Sequence, residues 1–189
     1  MVPENEVWGE GYYWFGGWLT TEFHEPGEEF TSEGEEVRIY ETGNDPNGQR
    51  INATRSFIGS LNASLDRAGA TQFDYDENRM HDLSGNLDSV NQSLYTDPGG
   101  STDISAGIYD GIDGLTGSGD ANKRVMVVLS DGVHNQGSPT PAEAAEDAAA
   151  ENITIYTVGL GDGVDKDQLQ TVAQKTNGTY YPVDNANQL

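Results

Sequence analysis

Residues 125–132 read Val-Met-Val-Val-Leu-Ser-Asp-Gly, and this stretch decides the fold. Its aliphatic residues do not alternate with polar ones, as is typical of a strand that is buried on both faces. Such strands occur in parallel sheets that are covered by helices on both sides. The run ends on Asp131 at a turn. The stretch therefore predicts an α/β protein with a carboxylate at the carboxyl end of a buried strand.

A second stretch, residues 99–104, reads Gly-Gly-Ser-Thr-Asp-Ile. It places a hydroxyl and an acid just after a glycine pair, where a helix begins. In open α/β sheets, ligands bind beyond the carboxyl ends of the strands. We therefore expect the oxygen ligands of residues 102–103 to gather beside Asp131, in an arrangement that suits a divalent cation.

The elements on either side alternate along the chain. Strands are predicted at residues 36–40, 70–74, 80–83, 125–129, 153–158 and 178–183, and helical patterns lie between most of them, at 51–65, 87–94, 104–115, 141–151 and 166–175. This alternation predicts a doubly wound, mostly parallel six-stranded sheet with right-handed crossovers and flanking helices, a Rossmann-like arrangement. If the first and fourth strands are neighbours, Asp45 and Asp131 can approach one ion.

The first 33 residues differ from the rest of the chain. They carry a cluster of aromatic residues among glycines and glutamates, namely Trp8, Tyr12, Tyr13, Trp14, Phe15, Trp18 and Phe23. This composition favours extended segments or a hairpin over a helix. We interpret residues 1–33 as an aromatic N-terminal β extension that packs on the neighbouring sheet, and residues 34–189 as the α/β domain. A sugar-stacking face is the alternative role of the aromatic cluster.

Charge and composition exclude several classes of protein. Lysine and arginine number 9 against 32 acidic residues, a formal net charge of -23, so no basic stripe is available for nucleic acid. No hydrophobic run is long enough to span a bilayer, and the absence of cysteine excludes disulfides and thiolate metal sites. Repulsion on this scale weakens a compact fold less where salt screens it, which indicates a halophilic source.

Five Asn-x-Ser/Thr sequons begin at Asn52, Asn62, Asn91, Asn152 and Asn177. Sequons are acceptors for N-linked glycans in exported proteins, so they favour an extracellular or cell-surface glycoprotein. A chain that is rich in asparagine, serine and threonine also yields sequons by chance. Of these two explanations of the sequons, glycosylation at the cell surface and chance, we favour the first.

Two other constellations are weaker. Ser130, Asp131 and His134 are the residue types of a hydrolase triad, but no Gly-x-Ser-x-Gly elbow occurs, so we expect no enzyme here. Asp74-x-Asp76-x-Asn78 is similar to the start of an EF-hand loop, yet it lacks the turn glycine and the twelfth-position glutamate. We interpret that segment as a solvated acidic loop.

The chain resembles the von Willebrand factor type A domain, the fold shared with integrin inserted domains. The resemblance covers residues 35–189 and rests on residues 99–108, 125–132 and 155–161, together with the helix and Asn-Gly-Thr-Tyr-Tyr strand of residues 169–181. It implies that residues 185–189 begin a last helix that is cut.

The resemblance also implies a metal-ion-dependent adhesion site. In the family an Asp-x-Ser-x-Ser loop, a threonine and a second aspartate hold Mg²⁺ and leave one position for a partner's carboxylate. The threonine falls on Thr102 and the second aspartate on Asp131, but the first loop becomes Glu41-x-Gly43-x-Asp45. The implied ligands are thus Asp45, Thr102, Asp131 and Glu41. The extra carboxylates admit Mg²⁺, Ca²⁺ or an empty site.

The function that follows is a non-enzymatic protein-binding or adhesion module. We expect its ligand, a protein or a surface polymer, to be recognised by the loops at residues 42–48, 98–103 and 132–138, which we call the rim. One alternative is a metal-free structural or assembly domain of a surface polymer. A less favoured one is an intracellular accessory domain of a chelatase or an AAA protein.

Overall fold

The computed structural model describes residues 12–13, 18–19, 49–75, 77–95, 101–117 and 123–184. The strands are β1 (Tyr12–Tyr13), β2 (Trp18–Leu19), β3 (Ala68–Phe73), β4 (Glu77–Ser84), β5 (Arg124–Ser130), β6 (Ile153–Leu160) and β7 (Tyr180–Val183). The helices are α1 (Gln49–Ser60), α2 (Leu87–Ser93), α3 (Ile104–Thr116), α4 (Pro141–Ala150) and α5 (Lys166–Lys175). None of the described helices is long and apolar enough to cross a bilayer.

The parallel sheet has the order β5-β6-β7. Val128 lies beside Thr157 in β6, and Thr157 lies beside Tyr180 in β7. Helix α4 connects β5 to β6, and α5 connects β6 to β7, as the alternating pattern predicts. One face of this sheet packs against α3, α4 and α5 around a core that includes Ile104, Ile108, Val128, Ile155 and Val172.

Strands β3 and β4 form a separate antiparallel pair. The prediction of one six-stranded sheet therefore differs from what the described residues form, which is a three-stranded parallel sheet and this two-stranded sheet besides the short β1–β2 pair. The physical difference is that β3 and β5 are not hydrogen-bonded to each other. The strand predicted at residues 36–40 lies outside the described residues, as do most of residues 1–33.

Helix α1 ends earlier than its apolar pattern predicts. It stops at Ser60, because a compact turn follows in which Asn62 Oδ1 accepts the Ser64 N–H at 3.0 Å and an Asp66 carboxylate oxygen accepts the Asn62 N–H at 2.8 Å. Leu65 lies in this turn and is 82% exposed, so the prediction that it continues the apolar face of the helix is wrong.

Two of the five sequon asparagines have a backbone explanation. Asn152 and Asn177 have φ angles of 58° and 57°, and each lies directly after the residue that caps α4 or α5. After α5, the Gly178 N–H bonds the Ala173 carbonyl at 2.8 Å and the Asn177 N–H bonds the Gln174 carbonyl at 3.3 Å, which is a Schellman ending. Asparagine is favoured over most residues in this left-handed conformation, so these two sequons carry little weight as glycosylation signals.

Helix α3 is fastened to β4 by a charged cluster. Arg79 Nη2 donates to Asp110 Oδ1 at 2.6 Å and to Asp113 Oδ2 at 2.9 Å, and Arg79 Nη1 donates to Asp82 at 3.2 Å. Thr71 also donates to the Asp110 carboxylate. Burial opposes ionisation of Asp110, but the hydrogen bonds from Arg79 and Thr71 outweigh it and hold the pKa of this carboxyl below its usual value. The same hydrogen bonds, chiefly to Asp110, raise the pKa of Arg79.

Replacing Asp110 by asparagine tests this cluster. We expect Asp110→Asn to lower the free energy of unfolding by about 1–3 kcal/mol at pH 7, because a partly buried guanidinium loses its main charged acceptor. The pKa of Asp110 is lowered in the folded state, so its contribution is complete above the ordinary carboxyl value of 3.8. It is lost as the pH falls through the folded value. Urea unfolding of both proteins between pH 7 and pH 3 measures the difference.

The matched control is Asp82→Asn, which removes the carboxylate on the same arginine that is 83% exposed. We expect it to cost less than about 1 kcal/mol, as exposed ion pairs do. Equal losses for the two variants at pH 7 would show that the cluster is not organised around Asp110.

Gly178 lies where the segment after α5 passes close to the backbone of β6. A Cβ atom at this position would lie 1.8 Å from the Ile155 carbonyl oxygen in β6, an overlap that only a backbone shift can relieve. We expect Gly178→Ala to cost about 4 kcal/mol or more, or to prevent folding. Gly59→Ala is the control, because a Cβ there meets nothing within 4 Å and alanine is a better helix former, by up to about 1 kcal/mol. Thermal unfolding of the two variants should move in opposite directions.

Candidate functional site

The carboxyl end of β5 carries buried polar residues. Ser130 and Asp131 are 0% and 7% exposed, although they follow an apolar strand. Ser101 and Thr102, which precede α3, are also buried, at 1% and 3%. Helix α3 begins next, and Asp103 caps it, since Asp103 Oδ1 accepts the Ala106 N–H at 2.9 Å. Side chains that normally face water are thus held inside the protein at one edge of the sheet.

Asn135 joins these two segments. Its side-chain oxygen accepts the Thr102 N–H at 3.2 Å and the Ser101 hydroxyl, and its own N–H donates to the Thr102 carbonyl at 3.1 Å. On the other side, the Asp103 N–H donates to the carbonyl of Asp74, just after β3, at 2.7 Å. The segments that follow β3 and β5 and the segment that precedes α3 therefore meet at one place, and they bring the backbone that carries Thr102 against the loop that begins with Asp131.

The predicted ligands Glu41 and Asp45 lie outside the described residues, and they stay predictions. Among residues 49–75, 77–95, 101–117 and 123–184, no three His, Asp or Glu side chains converge as a metal cluster. The described part of the site thus consists of one hydroxyl and one carboxylate, from Thr102 and Asp131.

These residues fit a hard divalent cation. Thr102 and Asp131 supply a neutral and an anionic oxygen, the donor types that Mg²⁺ and Ca²⁺ take, and Mg²⁺ readily completes its shell with water. A further buried hydroxyl, Ser105 Oγ, belongs to the second residue of α3, three positions after Thr102, and has no hydrogen-bond partner in the structure. Buried oxygens without enough partners are costly unless an ion or water satisfies them.

His134 is enclosed beside this site. Its side chain is 5% exposed, and Nδ1 lies 3.7 Å from Asp103 Oδ1. Burial lowers the pKa of His134 below its usual value, against the opposing effect of the Asp103 carboxylate. The Ser130 hydroxyl, in contrast, bonds the backbone of Gly132, at 3.1 Å to the carbonyl and 3.3 Å to the N–H. The histidine therefore faces Asp103, and the serine is engaged elsewhere.

Asn135 and Gln136 are the site residues that the sequence analysis did not single out. Gln136 Nε2 donates to the Asn135 side-chain oxygen at 3.1 Å and to the Ser101 hydroxyl. Amide side chains in a loop have no periodicity and belong to no ligand motif. Only their spacing from Asp131, within the predicted rim segment 132–138, could have drawn attention to them.

The sequence matches the family profile of the von Willebrand factor type A domain over residues 42–189. The chain belongs to this family, and the resemblance drawn from the sequence is confirmed. A search of curated protein sequences found no match.

Solved structures show the same fold at low sequence identity. An aerotolerance-related membrane protein from Bacteroides fragilis is 18% identical with a TM-score of 0.63, covering 74% of this chain and 82% of that one. Proximal thread matrix protein 1 from the mussel byssus, with a zinc-occupied MIDAS motif, is 15% identical with a TM-score of 0.66, covering 77% of this chain and 38% of that one.

The pilus adhesin SpaC from Lactobacillus rhamnosus GG is 18% identical with a TM-score of 0.61, covering 76% of this chain. This match covers 26% of the adhesin. The present chain thus corresponds to one part of the mussel and pilus proteins, and the likeness establishes its fold.

Proposed function

We propose that this chain is a non-enzymatic protein-binding module whose rim recognises its partner through a divalent cation. Thr102 and Asp131 hold the cation, together with Asp45 and Glu41 from the loop at residues 41–45. The observation that carries the proposal is the bridge from Asn135 to Thr102, which joins the segments bearing two of the four ligands at the carboxyl end of β5. The zinc-occupied site of the mussel matrix protein supports a cation at this place in the fold.

The bound cation supplies an electrophilic position that a carboxylate of the partner can occupy. Thr102 contributes no charge, whereas Asp131, Asp45 and Glu41 contribute up to three negative charges. A more neutralised ion attracts a carboxylate less, and the larger Ca²⁺ accepts more oxygen ligands than Mg²⁺. The loop Glu41-x-Gly43-x-Asp45 thus shifts the balance toward tighter cation binding and weaker partner binding. The identity of the cation is Mg²⁺ or Ca²⁺ on this proposal.

Calorimetric titration with Mg²⁺ and with Ca²⁺ tests the cation site. We expect saturable binding at millimolar concentrations or below, and a loss of affinity of about tenfold or more in Thr102→Val and in Asp131→Asn. Thr102→Val removes an oxygen ligand, and Asp131→Asn replaces a charged oxygen ligand by a neutral one. The matched control is Asp162→Asn, the same chemical change at a fully exposed position in the loop after β6. Absence of binding by the unmodified chain at millimolar Mg²⁺ and Ca²⁺ in high salt would refute the proposed site.

We also propose an extracellular or cell-surface setting, because the structural neighbours include a byssus matrix protein and a pilus adhesin. The sequons at Asn152 and Asn177 add little, since helix endings explain them. Asn62 lies in an exposed turn, and Asn52 is exposed on α1, so these two sequons are open to glycosylation on this proposal. If the chain is instead a metal-free assembly unit, a chelator leaves partner binding intact. If the rim binds its partner through a cation, a chelator abolishes that binding.

The six-stranded sheet is part of the same proposal. Helix α3 packs on β3, β4 and β5, while β3 and β5 are not paired with one another. The sequence predicts a strand at residues 36–40, which lie outside the described residues, and on this proposal it is the neighbour of β3 and β5 that carries Glu41 and Asp45 to the rim. The order of strands then follows the doubly wound pattern that the sequence predicts.

The net charge of -23 supports a source that lives in high salt. Raising KCl from about 0.1 M to about 1 M shortens the screening length from about 10 Å to about 3 Å and weakens the mutual repulsion of the acidic residues. We expect a gain of about 2 kcal/mol, which for a chain of this length is a rise of about 4–8 °C in the unfolding temperature. Sorbitol at matched osmolality is the control, because it does not screen charge. A flat response to KCl would contradict the halophilic interpretation.

A further inference from the structure

We propose that Asn135 is a positioning residue for the cation, and that it acts by fixing the backbone of Thr102. The inference rests on the proposed cation site. It goes beyond that site because Asn135 supplies no ligand of its own, and neither the ligand motif nor the sequence analysis assigns it a role. Its contacts with Thr102 carry the inference.

Asn135 engages both backbone polar groups of Thr102. The Thr102 N–H donates to the Asn135 side-chain oxygen at 3.2 Å, and the Thr102 carbonyl accepts the Asn135 N–H at 3.1 Å. Bonds at the N–H and at the carbonyl hold the backbone of Thr102, and with it the direction of the Cα–Cβ bond, relative to the anchoring loop. Because threonine is β-branched, its hydroxyl then has only a few staggered positions relative to the loop that starts at Asp131.

The amide oxygen of Asn135 is itself held in place. It accepts the Ser101 hydroxyl as well as the Thr102 N–H, and Gln136 Nε2 donates to it at 3.1 Å. Three donors on one oxygen fix the orientation of the amide plane. The rigidity of the Thr102 segment comes from the Asn135 bridge and from the start of α3.

Replacing a residue that orients a metal ligand without touching the metal typically changes the metal affinity by about 10-fold to 100-fold. Asn135 is an exposed residue as a whole, and the hydrophobic core does not include it. Its removal should therefore affect the geometry of Thr102 more than the stability of the fold. This difference separates a positioning role from a structural one.

The experiment compares Asn135→Leu, Asn135→Asp and the unmodified chain by calorimetric titration with Mg²⁺. We expect Asn135→Leu to weaken Mg²⁺ binding by about tenfold or more. Asn135→Asp keeps an acceptor oxygen for Ser101 and Thr102, so its affinity should equal or exceed that of the unmodified chain. Gln136→Leu is the matched control: it removes a neighbouring amide that touches the same oxygen but leaves both bonds between Asn135 and Thr102, and it should have a much smaller effect.

Two further readouts test the mechanism without metal. The amide ¹H resonance of Thr102 should move upfield in Asn135→Leu, where the N–H loses its acceptor, and should keep or exceed its downfield position in Asn135→Asp, where a carboxylate accepts the bond. The unfolding temperatures of both variants should stay near that of the unmodified chain. If the leucine variant does not fold, Asn135→Ala, which only truncates an exposed side chain, provides the same comparison.

The outcomes are distinguishable. If the unmodified chain binds neither Mg²⁺ nor Ca²⁺, the proposed function fails. If it binds Mg²⁺ and Asn135→Leu binds equally well, the cation site stands and the role of Asn135 is refuted. A parallel loss of affinity and of unfolding temperature in Asn135→Leu, without rescue in Asn135→Asp, would assign Asn135 a structural role only.

Discussion

The rest of the structure depends on the way α3 packs on both the parallel sheet and the antiparallel pair. Ile104 and Ile108 are fully buried in the core that α3 shares with α4, α5 and β5, while Asp110 on the same helix binds Arg79 of β4. Apolar contacts thus join this helix to the parallel sheet and to Phe73 of β3, and a charged cluster joins it to β4. Because its first residues lie at the carboxyl end of β5, the same constraint places Thr102 at the rim.

Much of this arrangement could be predicted from the sequence. The unbroken aliphatic run predicts β5 within one residue at each end, and the α5 pattern matches residues 166–175, since Asp165 at its start and the left-handed Asn177 after its end stop the helix at defined points. The end of α1 could not be predicted, because Leu65 continues an apolar period that a local turn of hydrogen bonds overrides. Periodicity records which face could be buried, and short-range polar contacts decide where the helix stops.

The candidate site likewise has a part that could be predicted from the sequence and a part that could not. The approach of Thr102 to the segment after β5 follows from topology, since Thr102 begins the connection through α3 into β5, and a helix that leads back into such a strand starts near the strand's carboxyl end. The means by which the two segments are joined does not follow from topology. The two segments are joined by the side-chain oxygen of Asn135, which accepts three hydrogen bonds. No rule of residue spacing predicts such an oxygen in a loop. The sequons at Asn152 and Asn177 show the opposite: the sequence motif is easy to recognise, but the left-handed backbone conformation explains the asparagine.

The net charge of the chain explains why the positions of the oxygen atoms at the rim matter more for the proposed cation binding than the electrostatic field of the rim. At low salt a chain of charge -23 attracts any divalent cation to its whole surface. At about 1 M salt the screening length of about 3 Å removes that attraction beyond the first layer of ligands. A cation is then retained only where the fold already holds oxygen atoms at coordinating distance. The free-energy cost of removing those oxygens from water has then been offset by folding. Under these conditions the proposed cation site would differ from the surrounding acidic surface by the fixed backbone of Thr102, which the Asn135 bridge holds.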